Sequence, residues 1–416
     1  MKVLHITTSS KGGAGIAAFR LHEALRAQGV DSGYLSKDLT INFEGEIVDD
    51  PFFTYQKPTV FQKIQRKLTR LLFPTENQKL ESVIQKKKHQ LNYELLSLPY
   101  SVYDLSKHPL VAEATLINLH WVSIVLDYPS FFQQLKKPLV WTLHDLNPFS
   151  GIFHYQHDAD RNKKIIGAMD AQVIALKKQA FSQSSLGAVV GPSQWMTDVA
   201  VQSCVFPEGV TYATIANAID VASYEAADLE NLRAIHGISE NEIVFLFIAH
   251  TLTSYRKGID LLLTSLEKVS HHTITLLTVG HGNIESPSET IKIVPLGTVH
   301  DPFAMAACYA AADAFLLPSR EDNLPNVMLE SFAMGTPVLS FPVGGMRAHI
   351  KEGSTGYLAF EVSAAAFADI LLKFMEQNHF NSDAIKKYAK TYFEPKQQAA
   401  HYKKIYRQLK EKSNSK

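Results

Sequence analysis

The sequence predicts an α/β protein made of two doubly wound domains. Short apolar runs of strand type alternate with amphipathic helical patterns along the chain, which is typical of parallel sheets covered by helices. At 416 residues the chain is too long for one typical domain. A connector near residue 217 separates two such alternating series. We therefore expect domains over residues 1–216 and 217–394, followed by a final helix within residues 395–416.

The first series begins with a strand that leads directly into a glycine-rich turn. Its strands share short apolar runs between turn or helix signals and are predicted at residues 3–7, 33–35, 115–119, 139–143 and 187–190. Gly12, Gly13 and Gly15 follow the first strand and open a helix, where glycines let a ligand approach the backbone closely. An ordinary tight turn is the alternative. An NAD-binding fingerprint is disfavoured, because the spacing is not G-x-G-x-x-G.

The second series repeats the pattern after the connector. Its strands are predicted at residues 243–249, 273–279, 291–295, 314–317 and 338–341. Gly280 follows the second of these strands, where a nucleotide base could pass close to the backbone, although such glycines also make ordinary turns. In the first series, Ser193 is expected to cap a helix that starts after the last strand.

Composition narrows the class of protein. Hydrophobic residues make up 46% of the chain and charged residues 20%, which is ordinary for a globular protein with a sizeable core. A formal net charge of zero argues against nucleic-acid binding driven by bulk charge. Only two cysteines are present, so neither a disulfide framework nor a structural zinc site is expected. Without a predicted signal peptide or membrane span, a cytoplasmic location is expected.

One region, residues 57–89, departs from this neutral balance. It carries nine lysine and arginine residues against two glutamates between residues 57 and 88, and apolar residues recur within it at helical spacing. Such a segment could lie peripherally on the anionic inner face of a membrane. A solvated helix packed on its own domain explains the pattern equally well.

The most informative stretch is residues 313–345. An apolar strand leads into an acidic loop with Glu321 and Asp322, and a helix carrying Glu330 follows. Main-chain N–H groups at a helix start attract phosphate, here near Asn326 and Val327. Carboxylates accept hydrogen bonds from sugar hydroxyls. The stretch therefore suits a sugar diphosphate, and a solvated acidic loop before an ordinary helix is the alternative.

Two further groups fit a charged, hydroxyl-rich ligand. Arg256 and Lys257 follow the first strand of the second series, where cations would stabilise a departing diphosphate; an exposed basic turn is the alternative. His144 stands after a strand of the first series, and ligands of open α/β sheets are contacted from the carboxyl ends of strands. A histidine with a structural role only is the alternative there.

These motifs resemble those of family 4 glycosyltransferases, the retaining group 1 type with the GT-B fold. The resemblance rests on the segment 313–345, on Ser254–Gly258 and on the run from His144 to Gly151. It implies two Rossmann-like domains that face a central cleft, with the first binding the acceptor and the second the nucleotide sugar. It also implies a C-terminal helix that crosses back to the first domain.

The resemblance also implies roles for individual residues. Asp322 or Glu321 contacts the donor sugar with His144, and Lys257 acts on the diphosphate; these four are the candidate catalytic residues. The candidate substrate-binding residues are Gly12, Gly13, Gly15, Arg256, Gly280, Asn323, Leu324, Asn326, Val327 and Glu330, with Glu330 holding the ribose. An arginine usual in the family is replaced by Thr251 or Leu252, and the first acidic position is Asp instead of Glu. No metal or cofactor is expected.

The function implied is retaining transfer of a sugar from a UDP- or GDP-sugar to a saccharide or lipid-linked acceptor. Surface or exopolysaccharide synthesis is the setting that the family suggests. Two alternatives share the fold: a sugar-nucleotide 2-epimerase, and a subunit that binds nucleotide sugar without transferring it. An NAD-dependent oxidoreductase is the least favoured.

Overall fold

The computed structural model describes residues 1–54, 72–225, 229–377 and 379–414. These residues form two compact units. The first unit comprises Met1–Ile215 together with Ala399–Lys416, and the second comprises Ala216–Gln398. Each unit has its own sheet, so the predicted α/β class with two doubly wound domains is confirmed.

The first unit is built on a largely parallel sheet. Its strands are β1 (Lys2–Ile6), β2 (Asp31–Leu35), β3 (Thr40–Ile41), β4 (Leu116–Leu119), β5 (Leu139–Thr142), β6 (Leu186–Gly191) and β7 (Thr211–Thr214). Their order is β3-β2-β1-β4-β5-β6-β7, and β2 and β3 alone among the described pairs run antiparallel. This order places the carboxyl ends of β1, β4 and β5 side by side.

Helices cover this sheet, and four of the six named here begin after a residue whose side chain caps the helix. They are α1 (Gly12–Arg26), α2 (Glu76–Lys87), α3 (Pro109–Glu113), α4 (Tyr128–Gln134), α5 (Gln156–Ser182) and α6 (Gln194–Ser203). The Ser193 side chain accepts a hydrogen bond from the Met196 amide, as predicted, and so caps α6. Thr75 and Gln78 form a capping box at the start of α2.

The second unit contains a six-stranded sheet in its described residues. The strands are β8 (Ile243–Thr251), β9 (Ile274–His281), β10 (Ile291–Gly297), β11 (Ala314–Leu317), β12 (Val338–Ser340) and β13 (Gly356–Leu358). They are ordered β10-β9-β8-β11-β12-β13 and all pair in parallel. Both faces of the sheet carry apolar cores, because residues 244–249 of β8 and all four residues of β11 are buried.

The helices of the second unit are mostly short. They are α7 (Val221–Glu225), α8 (Leu232–Ile235), α9 (Ile259–Lys268), α10 (Pro302–Ala311), α11 (Asn326–Ala333), α12 (Met346–His349), α13 (Ala364–Glu376) and α14 (Ser382–Tyr392). The final helix, α15 (Pro395–Asn414), then follows. α11 is the helix predicted after the acidic loop, and it begins at the residue expected to meet a phosphate.

Most of α15 packs on the sheet of the first unit. Ala399, Tyr402, Ile405, Tyr406 and Leu409 lie on one side of the helix and are buried in a core cluster that includes residues of β1, β4, β5 and β6. Two tyrosine hydroxyls extend this contact. Tyr406 accepts a hydrogen bond from Asn118 Nδ2 at 2.8 Å, and Tyr402 lies 3.0 Å from Thr142 Oγ1.

The basic region at residues 57–89 is only partly described. Residues 57–71 lie outside the described residues. The remainder includes α2, whose Leu80 and Ile84 are buried in a cluster with Ile152, Phe153 and Ile166 of the same unit. Helix α2 therefore packs on its own unit through Leu80 and Ile84. Among the described helices, none combines the length and the apolar character that crossing a bilayer requires.

Candidate functional site

The acidic loop after β11 places one carboxylate among two cations. Asp322 Oδ2 lies 2.5 Å from Lys257 Nζ and 3.5 Å from Arg256 Nη1. Its other oxygen, Oδ1, accepts a hydrogen bond from the Asn323 amide at 3.1 Å. The side chain of Asp322 is only 15% exposed, so these interactions act with little screening by water.

The charges of this cluster are mutually stabilising. Burial alone would raise the pKa of Asp322, but Lys257 and Arg256 outweigh it and hold the pKa below its usual range. Asp322 is therefore ionised at neutral pH. Glu321 contributes differently, because its main-chain oxygen accepts a hydrogen bond from Arg256 Nη1 at 3.1 Å. The carboxylate of Asp322 is thus paired with both cations.

The basic turn that carries Lys257 is clamped against the same loop. Gly258 has φ +72°, and a Cβ there would lie 1.9 Å from the Pro318 carbonyl oxygen, so only glycine allows this approach. The Arg320 amide donates to the Arg256 oxygen at 2.8 Å, and the Arg320 guanidinium forms two bonds of 2.6 Å to Asp260. These contacts fix the position of Lys257 relative to Asp322.

The start of α11 is held by Asn217. Asn217 Nδ2 donates to the Leu324 carbonyl oxygen at 3.2 Å and to Asn326 Oδ1 at 3.3 Å. Leu324 itself is buried in the apolar core, so its backbone and not its side chain borders the loop. Pro325 stands at the N-cap without a side-chain cap, and Val327 follows in the first turn. The positive end of the α11 dipole thus lies at the end of the acidic loop.

Two glycines after β12 support the loop from the other side. Gly344 has φ +52°, and a Cβ there would lie 1.9 Å from the Asp322 carbonyl oxygen. The Gly345 amide donates to the Asn323 carbonyl oxygen at 2.6 Å. The backbone of Asp322 and Asn323 is therefore fixed by direct main-chain contact as well as by the ion pairs.

Glu330 and Gly280 occupy separate positions in the second unit. Glu330 is buried on α11 and accepts a hydrogen bond from the Tyr309 hydroxyl at 3.3 Å. Burial, assisted by Glu330, raises the pKa of Tyr309 well above its ordinary value, so that hydroxyl remains a donor. A Cβ at Gly280 would lie 1.8 Å from the Ala249 carbonyl oxygen. The close packing of β9 against β8 therefore explains why glycine stands at this position.

In the first unit, His144 belongs to a chain of three imidazoles. His5 Nδ1 lies 2.9 Å from His120 Nε2, and His120 Nδ1 lies 3.1 Å from His144 Nε2. The three residues come from β1 and from the segments that follow β4 and β5, whose carboxyl ends are adjacent. Burial lowers the pKa of His144 to about 4 against a weaker opposing effect of Asp145, so the imidazole is neutral at physiological pH.

A small pocket opens beside this chain. Its lining combines aromatic and polar side chains, among them His120, Trp121, Tyr128, Trp141, His144 and Asp145. Asp145 Oδ2 accepts from Trp121 Nε1 at 2.7 Å and lies 2.6 Å from His154 Nδ1. Its carboxylate therefore orients the side chains of Trp121 and His154.

A buried lysine supports the segment that follows His144. Lys177 is fully buried on α5, and its ammonium donates to the carbonyl oxygens of Asn147, Ser150 and Gly151. Burial lowers the pKa of Lys177 to about 7, while Asp145 and Asp170 oppose the shift. No motif in the sequence singles out this lysine. Its only signal is a charged residue within the buried stripe of a helix.

The glycine-rich turn before α1 has a packing explanation for one of its members. A Cβ at Gly15 would lie 2.3 Å from the Ser9 carbonyl oxygen, whereas a Cβ at Gly12, where φ is +74°, would have no described atom within 4 Å. Asp38 accepts hydrogen bonds from the Ser10 amide at 2.8 Å and from Ser9 Oγ at 2.9 Å. The turn leading to Gly12 and Gly13 is thus tied to the segment after β2.

Comparison with known proteins finds a family model and curated relatives that match part of this chain. Residues 242–377 match the family model for glycosyl transferases group 1. A D-inositol 3-phosphate glycosyltransferase of Frankia alni is 26% identical over 189 residues, which covers 40% of this chain and 45% of that protein. The chain therefore spans less than half of this curated relative.

Solved structures cover nearly the whole chain at lower identity. A sucrose-phosphate synthase from Thermosynechococcus elongatus is 17% identical with a TM-score of 0.64, covering 98% of each chain. Anabaena Alr3699/HepE in complex with UDP-glucose is 16% identical with a TM-score of 0.61, covering 98% of this chain and 99% of that one. The two Rossmann-like domains are thus those of the GT-B fold. The resemblance noted in the sequence is confirmed, because residues 242–377 match the model of the glycosyl transferases group 1 family.

Proposed function

We propose that the protein is a retaining glycosyltransferase that moves a sugar from a UDP- or GDP-sugar to a saccharide or lipid-linked acceptor. The observation that carries the proposal is the cluster of Asp322, Lys257 and Arg256 on the loop that leads to α11. The cluster lies within the residues that match the family model. Solved structures of HepE with UDP and with UDP-glucose support the choice of donor class.

The proposed roles in the second unit follow from charge and position. Lys257 and the amides at the start of α11 stabilise the negative charge that builds up on the departing diphosphate. Asp322 accepts hydrogen bonds from hydroxyls of the donor sugar, and Glu330 from the ribose. Arg256, which is only 9% exposed, acts by positioning the loop. In this proposal Arg256 takes no direct part in phosphate binding.

The transfer step can be written with its atoms balanced. The acceptor hydroxyl oxygen forms a bond to the anomeric carbon on the face from which the diphosphate leaves. The bond between that carbon and the diphosphate oxygen breaks, and the diphosphate takes the hydroxyl proton. A fixed cation such as Lys257 favours this step because its attraction grows as charge accumulates on the leaving group.

The role of Lys257 is tested by Lys257→Met, which keeps the length of the side chain and removes its charge. We expect transfer from the assigned nucleotide sugar to fall by about 100-fold. Lys268→Met is the matched control, because Lys268 is an exposed lysine at the end of α9. The measurement is release of nucleoside diphosphate in the presence of a panel of acceptors. Turnover by Lys257→Met at the wild-type rate would remove Lys257 from the mechanism.

A second candidate function is a subunit that binds nucleotide sugar without transferring it. Thr251 and Leu252 favour it, because they stand where relatives of the resembled family carry an arginine, and Leu252 is buried. Binding of a nucleotide sugar with no turnover on any acceptor would support this candidate over the transferase.

The acceptor and the setting are further parts of the proposal. The aromatic and polar pocket of the first unit suits a saccharide, because apolar ring faces and hydrogen-bonding groups occur together there. We also propose His144 as a contact for the sugar. Surface polysaccharide assembly and peripheral contact with an anionic membrane through residues 57–89 remain part of this proposal.

A further inference from the structure

Two side chains of α5 hold the segment 147–152 against that helix. The ammonium of Lys177 donates hydrogen bonds to three main-chain carbonyl oxygens, those of Asn147, Ser150 and Gly151. Asp170 Oδ1 accepts a hydrogen bond from the Ile152 amide at 2.7 Å. Asp170 and Lys177 are seven positions apart, so they lie on the same face of α5, two turns from each other.

The surroundings of Lys177 match an ammonium group. An ammonium has three N–H groups, and it meets three carbonyl oxygens to which no other group of the described residues donates. Among the contacts of the described residues, Asp145 and Asp170 attract the charge but form no hydrogen bond with it. The Tyr128 ring lies 5.6 Å from Nζ. The buried charge is therefore stabilised mainly by the main chain that it holds in place.

The segment 147–152 is linked to the pocket through Asp145. The Asn147 amide donates to Asp145 Oδ1 at 3.0 Å, and Asp145 Oδ2 accepts from Trp121 Nε1 at 2.7 Å. Asn147, Asp145 and Trp121 all belong to the lining of the pocket. A displacement of Asn147 therefore moves the acceptor of the Trp121 indole group.

We infer that Lys177 and Asp170 are positioning residues of the pocket, which hold Asn147 in place and thereby fix Asp145 against Trp121. The geometric part of this role is independent of the proposed function, and its effect on an acceptor rests on that function. A neutral amine has only two N–H groups, so it holds two of the three carbonyl oxygens and directs a lone pair at the third. The pocket wall therefore changes when Lys177 loses its proton.

This proton is lost close to neutral pH. Burial lowers the pKa of Lys177 to about 7, while the charges of Asp145 and Asp170 oppose the shift. Burial raises the pKa of Asp145, but the charge and hydrogen bond of His154 outweigh it and keep that pKa below its usual range. Burial raises the pKa of Asp170 and that of the Tyr128 hydroxyl on α4. Below about pH 7 all three carbonyl oxygens are held, and above it one contact is lost.

The Trp121 indole group reports this change in ¹H–¹⁵N NMR of the full chain labelled at tryptophan. The chain has three tryptophans, so the Trp121 signal is assigned by its loss in Trp121→Phe. We expect it to move with a midpoint near pH 7 in the wild type and to stay in place in Lys177→Met. A protonation change at His154, which lies 3.3 Å from Trp121 Nε1, would persist in Lys177→Met. An immobile wild-type signal, or equal movement in Lys177→Met, overturns the inference.

A second variant separates positioning from general destabilisation. Asp170→Ala removes the acceptor of the Ile152 amide, and we expect hydrogen exchange within residues 145–154 to become about tenfold faster. Exchange in β4 and β5 should stay as in the wild type. The matched controls are Lys178→Met and Asp160→Ala, at exposed positions of the same helix, and neither should change exchange or the Trp121 signal.

The outcomes of Asp170→Ala decide the role even if Lys177→Met does not fold. Unchanged exchange in residues 145–154, or faster exchange throughout the first unit, overturns it. With an assigned donor and acceptor, we expect KM for the acceptor to rise about tenfold and KM for the donor to stay the same, because the donor is assigned to the second unit. Faster local exchange with an unchanged acceptor KM keeps the positioning role and rejects this pocket as the acceptor site.

Discussion

At the scale of single residues, Asp322 sets the electrostatics of the candidate site. Its carboxylate is largely buried and is balanced by Lys257 and Arg256, which lie 65 and 66 positions earlier in the chain. The sequence itself shows the residue types and the spacing from Asp322 to Glu330. The pairing of Asp322 with Lys257 and Arg256 could not be predicted, because it depends on how the turn after β8 meets the loop after β11. The contact between His5 and His120 could not be predicted for the same reason, because these residues are 115 positions apart in the chain.

The ionisation of Asp322 gives a prediction about stability and pH. Its pKa is lower in the folded protein than the ordinary value of about 3.9. Its contribution to the free energy of unfolding is therefore fully present above about pH 4 and is lost as the pH falls through the lower folded value. We expect Asp322→Asn to be less stable than the wild type by about 2 kcal/mol at neutral pH, with the difference shrinking below about pH 4.

Urea unfolding at a series of pH values measures this difference. Asp369→Asn serves as the control, because Asp369 is exposed on α13 and its replacement should change stability little at any pH. A difference between wild type and Asp322→Asn that stays constant down to acid pH would contradict the assigned charge pairing.

At the scale of secondary-structure elements, the loop from β11 to α11 depends on close main-chain contacts. The apolar runs were sufficient to predict all ten of the strands named from the sequence, within about two residues. They missed β3, β7 and β13, which are short strands of two to four residues at the ends of the two sheets. Strands this short give no apolar run or alternation long enough to be recognised in the sequence. The support of the loop by Gly344 could not be predicted from the sequence either. It depends on the close approach of Gly344 to the Asp322 carbonyl oxygen in the folded protein.

Replacement of Gly344 tests that support. In Gly344→Ala the new Cβ would meet the Asp322 carbonyl oxygen in addition to adopting an unfavourable positive φ. We expect the free energy of unfolding to fall by about 3 kcal/mol and nucleotide-sugar affinity to fall with it. The matched control is Gly353→Ala, where φ is +65° and no described atom lies within 4 Å of the added Cβ; a loss of about 1 kcal/mol is expected. Equal losses in the two variants would mean that the loop can move away from Gly344 freely.

At the scale of the whole molecule, the chain folds as two units, and the first one is completed by the last helix. α15 supplies buried side chains to the core of the first unit, although the second unit lies between them in the sequence. The periodicity of α15 predicted an apolar face. Its packing partner came only from the family resemblance, because an apolar stripe does not specify the surface that covers it.

The tyrosines of α15 allow a test of this arrangement. In the double variant Tyr402→Phe, Tyr406→Phe, the buried Asn118 amide loses its acceptor and Thr142 loses a partner. We expect the free energy of unfolding of the first unit to fall by about 2 kcal/mol. Nucleotide-sugar binding by the second unit should not change. Tyr392→Phe is the control, because that tyrosine is 56% exposed. Thermal unfolding and ligand titration of the same samples measure both effects. Loss of donor binding in the double variant would contradict the assignment of that site to the second unit.

Isothermal titration calorimetry with a panel of UDP- and GDP-sugars tests the central claim, that the loop from Asp322 to Glu330 holds a nucleotide sugar. We predict that at least one of these compounds binds the wild-type protein with a single site. We also predict that Lys257→Met and Glu330→Gln each weaken that binding by at least about tenfold, which corresponds to about 1.4 kcal/mol. Absence of binding by every nucleotide sugar in the panel, or equal affinity in wild type and both variants, would contradict the claim.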